Sequence, residues 1–309
     1  MIPSPLLDVR PEAAAALRDG RAVVALESTL IAHGLPWPVN LETARAAEAA
    51  VRREGAVPAT VAVWRGRPTV GLDDAELEHL ARATDVRKAS RRDLAAAVAQ
   101  GATAATTVAA TMALASRPGI LVFATGGVGG VHPPGPEGPA TVADVSADLD
   151  ELARTRMAVV CAGAKSILDL AATLEVLETN GVPVVGYATD EFPAFYLRSS
   201  GLPVGARVDS PAEAALLLRV HWALDGNGVV LAQPLSAEDC LDPDVFAAAL
   251  ARAERLAHAA GVRGPARTPF LLARLAEITE GATLRANRAL IVANARLAAR
   301  VAVALVERP

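Results

Sequence analysis

The segment Met157-Ala-Val-Val-Cys-Ala-Gly-Ala-Lys165-Ser-Ile-Leu-Asp-Leu-Ala-Ala-Thr-Leu-Glu175 changes its hydrophobic pattern midway. Up to Ala164 it is a short, continuous apolar run, the mark of a strand buried on both faces. From Ser166 to Thr179 the apolar residues recur at helical spacing. Five further runs repeat the strand pattern: Ala22–Leu26, Ala59–Trp64, Ile120–Ala124, Val182–Tyr187 and Gly228–Ala232. Helix-like stretches lie among them, at Leu41–Glu54, Pro211–Leu224, Asp242–Ala260 and Ala282–Val306, the last with Arg285, Arg288, Arg296 and Arg300 on a solvated side. This alternation predicts an α/β fold: a three-layer α/β/α arrangement with a largely parallel central sheet, in one domain spanning residues 1–309. The Pro/Gly cluster Pro133–Pro139 reads as a surface loop within that domain, because the alternation resumes after it.

Composition narrows the function classes. The chain has 309 residues, 52% of them hydrophobic and 21% charged, with a net charge of −4, so it can build a large core. A nucleic-acid binder carries a basic excess to displace phosphate counterions, and none is present. Two cysteines, Cys161 and Cys240, are too few for a disulfide framework and suit a reducing compartment. Leu94–Ser116 contains no charge, but it is mostly Ala, Thr and Gly and reads as a buried segment rather than a membrane span. The start of the chain lacks a basic region followed by an apolar core, so a cytoplasmic protein is expected.

Of the 30 basic residues only two are lysines, Lys88 and Lys165. Arginine cannot serve as a neutral amine, whereas a lysine can when its proton affinity is lowered. Lys165 is expected where a buried strand hands over to a helix N-terminus, at the carboxyl end of the sheet where α/β proteins bind ligands. The helix dipole and lost hydration would both favour the neutral amine there. That suits an imine-forming nucleophile; the alternative is a plain charge facing a phosphate or carboxylate. Glu27, at the end of the first apolar run, would be either a solvated strand-end acid or a general acid at the same sheet edge.

Thr125-Gly-Gly-Val-Gly-Gly-Val-His132 follows a strand and could bring backbone N–H groups close to a phosphate, or could be a simple turn. It is neither the dinucleotide fingerprint nor a nucleoside triphosphate loop. Asp144-Val-Ser146-Ala147-Asp148 opens a helix with Ser146 as N-cap and Asp148 in the first turn. Asp144 alternatively offers one hard carboxylate to a divalent ion that would keep several waters, magnesium or manganese rather than zinc. Asp190-Glu-Phe-Pro-Ala-Phe-Tyr196 holds three of the ten aromatics, as a base pocket or as a packed loop. Asn287 and Asn294 share one face of the terminal helix and could hydrogen-bond a neighbouring loop.

These blocks, in this order, resemble the pseudouridine-5'-phosphate glycosidase (indigoidine-synthase-A-like) family. The resemblance rests on Leu26–Pro36, Arg87–Leu94, Thr106–Thr111, Thr125–His132, Asp144–Leu149, Cys161–Ser166, Thr189–Tyr196 and Thr268–Leu272, and covers nearly the whole chain. It implies reversible cleavage of the C–C glycosidic bond of pseudouridine 5'-phosphate to uracil and ribose 5-phosphate through a lysine imine. By the same resemblance Lys165 would be the nucleophile, Glu27 the proton donor and Asp144 the ligand of one Mn2+. Lys88, Val108, the Ser146-Ala147-Asp148 segment, His132 and Asn287 would contact substrate, and the protein would be a homotrimer with no nucleic-acid or membrane partner. Three features depart from the family pattern: the prolines from Pro133 displace an arginine, Ala188 stands where glycine is common, and Gln233 stands where asparagine is usual. Alternatives are a Schiff-base lyase or aldolase acting on another sugar phosphate, and a non-catalytic sugar-phosphate or nucleotide sensor.

Overall fold

In the computed structural model, residues 6–133, 144–262 and 267–307 are described; most of the Pro133–Pro139 loop lies outside them. The strands are β1 (Asp8–Val9), β2 (Val23–Leu26), β3 (Val57–Trp64), β4 (Arg67–Val70), β5 (Arg87–Ala89), β6 (Ala104–Thr106), β7 (Val122–Ala124), β8 (Ala158–Cys161), β9 (Val184–Tyr187), β10 (Ala206–Val208) and β11 (Val229–Ala232). The helices are α1 (Pro11–Arg18), α2 (Val39–Arg53), α3 (Asp74–Arg82), α4 (Leu94–Ala99), α5 (Val108–Ala115), α6 (Ala147–Leu152), α7 (Leu170–Thr179), α8 (Pro211–Ala223), α9 (Pro243–Ala259), α10 (Arg267–Ile278) and α11 (Ala282–Val306).

The strands form one sheet in the order β1-β4-β3-β2-β7-β8-β11-β9-β10, with β6 also paired to β3 and β5 paired to β6. Every pairing is parallel except β3 with β4 and β3 with β6. The first half of β3 runs alongside β2, and its second half turns to pair with β4 and β6. All residues of β2, β7, β8 and β11 are buried, which explains why they read as unbroken apolar runs rather than alternating ones. β2 is covered by α5 and by α11, so both of its faces are sealed from water.

Leu94–Ser116 resolves into α4, β6 and α5, as a buried segment should. Every residue of α5 is buried. α11 is long and apolar enough to cross a membrane, yet it packs on α2, α8 and the strands β2, β7 and β8, and its four arginines are exposed. It is a core helix.

One expectation needs correcting. The helix after β8 does not start at Ser166: α7 begins at Leu170, with the Asp169 side chain accepting from Ala172 N at 2.9 Å. Asp169 captures a first-turn N–H as an N-cap should, and the chain before it makes a separate turn in which Leu168 N donates to Lys165 O. Lys165 therefore stands clear of the helix end, and the dipole of α7 does not act on it as expected.

Ala188 adopts a φ of +53°, a conformation that disfavours any residue with a Cβ, and it is exposed. Relief of about 1–2 kcal/mol of left-handed strain exceeds the roughly 0.4–1 kcal/mol that glycine adds in unfolded-chain entropy. Ala188→Gly is expected to stabilise the protein by about 0.5–1 kcal/mol, read as a higher urea midpoint at unchanged slope. A lower midpoint would contradict this account of the turn.

Candidate active site

The register of the central strands sets the site. Leu26 lies opposite Ala124, and Ala124 opposite Val160. The next residues, Glu27, Thr125 and Cys161, therefore sit level at the carboxyl ends of three adjacent parallel strands, where loops open and ligands bind. Glu27 is only 8% exposed. Its two carboxylate oxygens each accept a short hydrogen bond, one from the Thr29 hydroxyl and one from the Thr125 hydroxyl. Both oxygens are thus aimed by the strand register rather than by solvent.

Beneath Glu27 a buried polar network ties the strand ends together. Ser28 Oγ donates to Val61 O at 2.6 Å and accepts from Thr106 N at 2.9 Å, while Thr106 Oγ1 donates to Val61 O and accepts from Thr111. This network locks β6, and through the β5–β6 pairing it holds Lys88 (opposite Ala105) at the same rim.

Glu27, Lys88, Lys165 and Asn287 line one cleft, which contains about 580 Å³ of atom-free space continuous with solvent. Lys88 keeps surface open to the cleft, but the surrounding walls displace much of its water. This desolvation, then the nearby Lys165 charge, holds its amine below the usual lysine range, while Glu27 and Asp148 pull the other way. Cys161 is the wrong group for nucleophilic work: full burial pushes its thiol up to about 12.

The remaining expected residues form the next layer. Ser146 caps α6 as expected, its hydroxyl accepting from Asp148 N at 3.2 Å. The buried Asp148 carboxylate accepts from Ala109 N and from Gly129 N, both at 2.9 Å, and so clips the start of α5 to the glycine-rich loop. Val108 is the first residue of α5 with its side chain buried. Ala147 is exposed at the start of α6. His132 is half-buried, and its backbone N–H donates to the Asp144 carbonyl oxygen at 2.8 Å. Desolvation disfavours its charged form, Asp144 opposes this, and Arg267 and Lys165 reinforce it.

The glycine-rich loop is dictated largely by packing. A Cβ at Gly127 would meet the Phe195 ring at 2.6 Å, and one at Gly129 would meet Ser146 Oγ at 2.2 Å. The N–H groups of Val128, Gly129 and Val131 are used by Gly163 O, Asp148 and Thr173 respectively. Gly126 and Gly127 line the cleft. Asn294 does bond the neighbouring loop, donating to Thr125 O at 2.9 Å, and Gln233 supports Asn294 from behind.

Asp144 is exposed, and among the described residues no three His, Cys, Asp or Glu side chains converge as a metal cage. A lone, exposed, hard oxygen donor fits a largely hydrated divalent ion and not a closed site.

Several cleft residues were not singled out from the sequence. Thr29 and His33 lie in a block quoted above; the nearness of both to Glu27 along the chain was the available signal. His33 sits on a π-helical turn, Leu30–Gly34, a feature common at functional sites. Thr268 and Leu272 of α10, in the last of the blocks quoted above, and Ile291 of α11, which carried no local signal, close the cleft from far away in sequence. Phe195 of the aromatic segment is 3% exposed and packed on the loop, and it also lines the cleft.

Comparison with known proteins places the chain in a family. A family model described as indigoidine synthase A like protein matches residues 12–304. The chain is 57% identical to a pseudouridine-5'-phosphate glycosidase of Herpetosiphon aurantiacus over 97% of its own length and 98% of that protein. It is 50% identical to one of Caldanaerobacter subterraneus subsp. tengcongensis over 97% and 96%. Among solved structures it is similar to the prealnumycin C-glycosynthase AlnA in complex with ribulose 5-phosphate (42% identity, 98% of each chain, TM-score 0.89). An indigoidine synthase A-like protein from Thermotoga maritima matches at 37% identity over 98% and 97%, with a TM-score of 0.87. The family model covers almost the whole chain and the relatives are matched over nearly their full length, and the chain belongs to the indigoidine synthase A-like family.

Proposed function

We propose that this protein is an enzyme that reversibly cleaves pseudouridine 5'-phosphate to uracil and ribose 5-phosphate through a lysine imine. The observation that carries the reading is the meeting of Glu27, Lys88, Lys165 and Asn287 in one cleft at the carboxyl edge of the sheet. A C–C glycosidic bond resists the oxocarbenium route used for O-glycosides, because carbon is a poor leaving atom. An amine solves this. Glu27 protonates the ring oxygen as the ribose opens, Lys165 bonds to C1, and the nitrogen lone pair expels uracil to leave an imine. Water then releases ribose 5-phosphate.

Lys88 supplies charge to the phosphate, backed by the Ser146–Asp148 segment, Val108 and His132 in the layer behind the cleft lining; Asn287 addresses the base. Asp144 would hold a largely hydrated Mn2+, which would supply positive charge to an anionic substrate. The active form is a homotrimer, tested by light scattering of the purified protein.

The functional test is synthesis of pseudouridine 5'-phosphate from uracil and ribose 5-phosphate, with and without Mn2+. Product is expected, increased by Mn2+ in the wild type and insensitive to it in Asp144→Asn. AlnA is a C-glycosynthase by name, which favours one second reading, a related C–C reaction with another aglycone. A lysine adduct with ribose 5-phosphate but no product from uracil would select it.

A further inference from the structure

We infer that His33 is the proton carrier of the C–C cleavage, taking a proton from the Lys165 nitrogen once it has bonded to C1 and returning it to C5 of the departing uracil. The inference rests on the lysine-imine reading above and assigns a role which that reading leaves empty.

The need for such a group follows from the proton count. When the Lys165 amine adds to C1, the bond from C1 to the ring oxygen breaks and that oxygen takes the Glu27 proton. The nitrogen then carries two hydrogens and a positive charge, and has no lone pair. It cannot expel uracil until a base removes one proton. With the lone pair restored, the C=N bond forms as the C1–C5 electron pair leaves on uracil, and C5 must be protonated. One proton has moved from nitrogen to C5, and the carrier ends as it began. Hydrolysis of the iminium leaves Lys165 as an ammonium, which returns a proton to Glu27 for the next turnover.

His33 is the one imidazole lining the cleft with Glu27, Lys88 and Lys165, among the described residues. Glu27 is occupied with the ring oxygen, and the Asn287 amide cannot take a proton. The backbone carbonyls of Arg87 and Val86 lie near the His33 ring, and an N–H turned towards them would leave the other ring nitrogen to take the proton. The His33 side chain is exposed, but the cleft walls displace part of its water; this desolvation, and behind it the Lys88 charge, keeps the ring below the usual histidine range and hence neutral near pH 7. The charged groups facing it are Glu27, Lys88 and Lys165 across the cleft and Glu277 of α10 across a second cavity that His33 also lines. α2, packed on the same turn, presents the uncharged Asn40, which donates to Ile31 O and to the Ala81 O of α3.

The test is His33→Gln in the full-length protein. Its turnover of pseudouridine 5'-phosphate is expected to fall about a hundredfold or more, with borohydride trapping of ribose 5-phosphate kept at the wild-type level, because that imine forms without a C5 proton. Since the neutral ring is the active form, wild-type kcat declines as pH falls through a histidine value below 6.5, and this acid limb disappears in the variant. His33→Ala is expected to regain activity on addition of imidazole. Turnover within about threefold of wild type, an unchanged acid limb, or loss of trapping in parallel with turnover would each overturn the assignment. A wild-type protein that neither traps ribose 5-phosphate nor releases uracil would instead remove the underlying reading, a distinct outcome.

Discussion

Lys165→Arg is expected to lower kcat for pseudouridine 5'-phosphate by about four orders of magnitude or more, the scale seen when a covalent nucleophile is removed. The substitution preserves the positive charge and most of the length, and the residue lies in a turn whose backbone is held independently, through Lys165 N to Val128 O at 3.2 Å. The fold and phosphate attraction should survive; what is lost is an amine with a lone pair. If Lys165 were merely a charge facing the phosphate, arginine would substitute with a change confined to KM. Residual turnover above about one percent of wild type would favour that plainer role.

The second large effect is Glu27→Gln, for which a loss of about 10²–10⁴-fold in kcat is expected. The glutamine can still accept from Thr29 or Thr125 at one oxygen, so the strand end keeps its shape. It cannot deliver a proton to the ring oxygen, and the ribose would have to open to an alkoxide. Free ribose 5-phosphate already samples its open aldehyde, so the variant should still form a borohydride-trappable imine while failing to cleave the nucleotide. Equal loss of both activities would mean that Glu27 only supports the cleft. Near-normal cleavage would remove it from the chemistry.

The six strands expected from the sequence are all present, and α11 begins and ends where its pattern does. Their legibility has one physical cause: strands buried on both faces leave unbroken apolar runs. The strands that escaped reading, β1, β4, β5, β6 and β10, are short, and all but β6 carry residues open to solvent, so no unbroken apolar run marks them. Lys88 illustrates the consequence. Its rarity marked it for attention, but its place beside Lys165 depends on β5 pairing with β6 and β6 with β3, which no local pattern records.

The candidate site was legible where chemistry is local and illegible where it is assembled by packing. Glu27 and Lys165 follow strands that could be read, so their common edge could be inferred. The Ser166–Thr179 helix was placed four residues early because apolar periodicity does not distinguish a compact turn from a first helical turn; the cap at Asp169 does. The glycine-rich loop looked like a phosphate cradle. Much of its glycine content is instead required by the approach of Phe195 and Ser146, a tertiary constraint. Ala188, the departure at a left-handed position, shows the converse: the sequence flagged an oddity whose cost only the backbone angle reveals.

The central claim is that one particular amine bonds covalently to the sugar, and the chain suits a direct test because it holds only two lysines, Lys88 and Lys165. Incubation with ribose 5-phosphate and borohydride, followed by proteolysis and mass spectrometry, should place a reduced pentose phosphate adduct on the Lys165 peptide, with Lys88 unmodified and the adduct absent from Lys165→Arg. An adduct on Lys88, whose amine desolvation by the cleft walls holds below its usual range, or no adduct under conditions of active turnover, would contradict it.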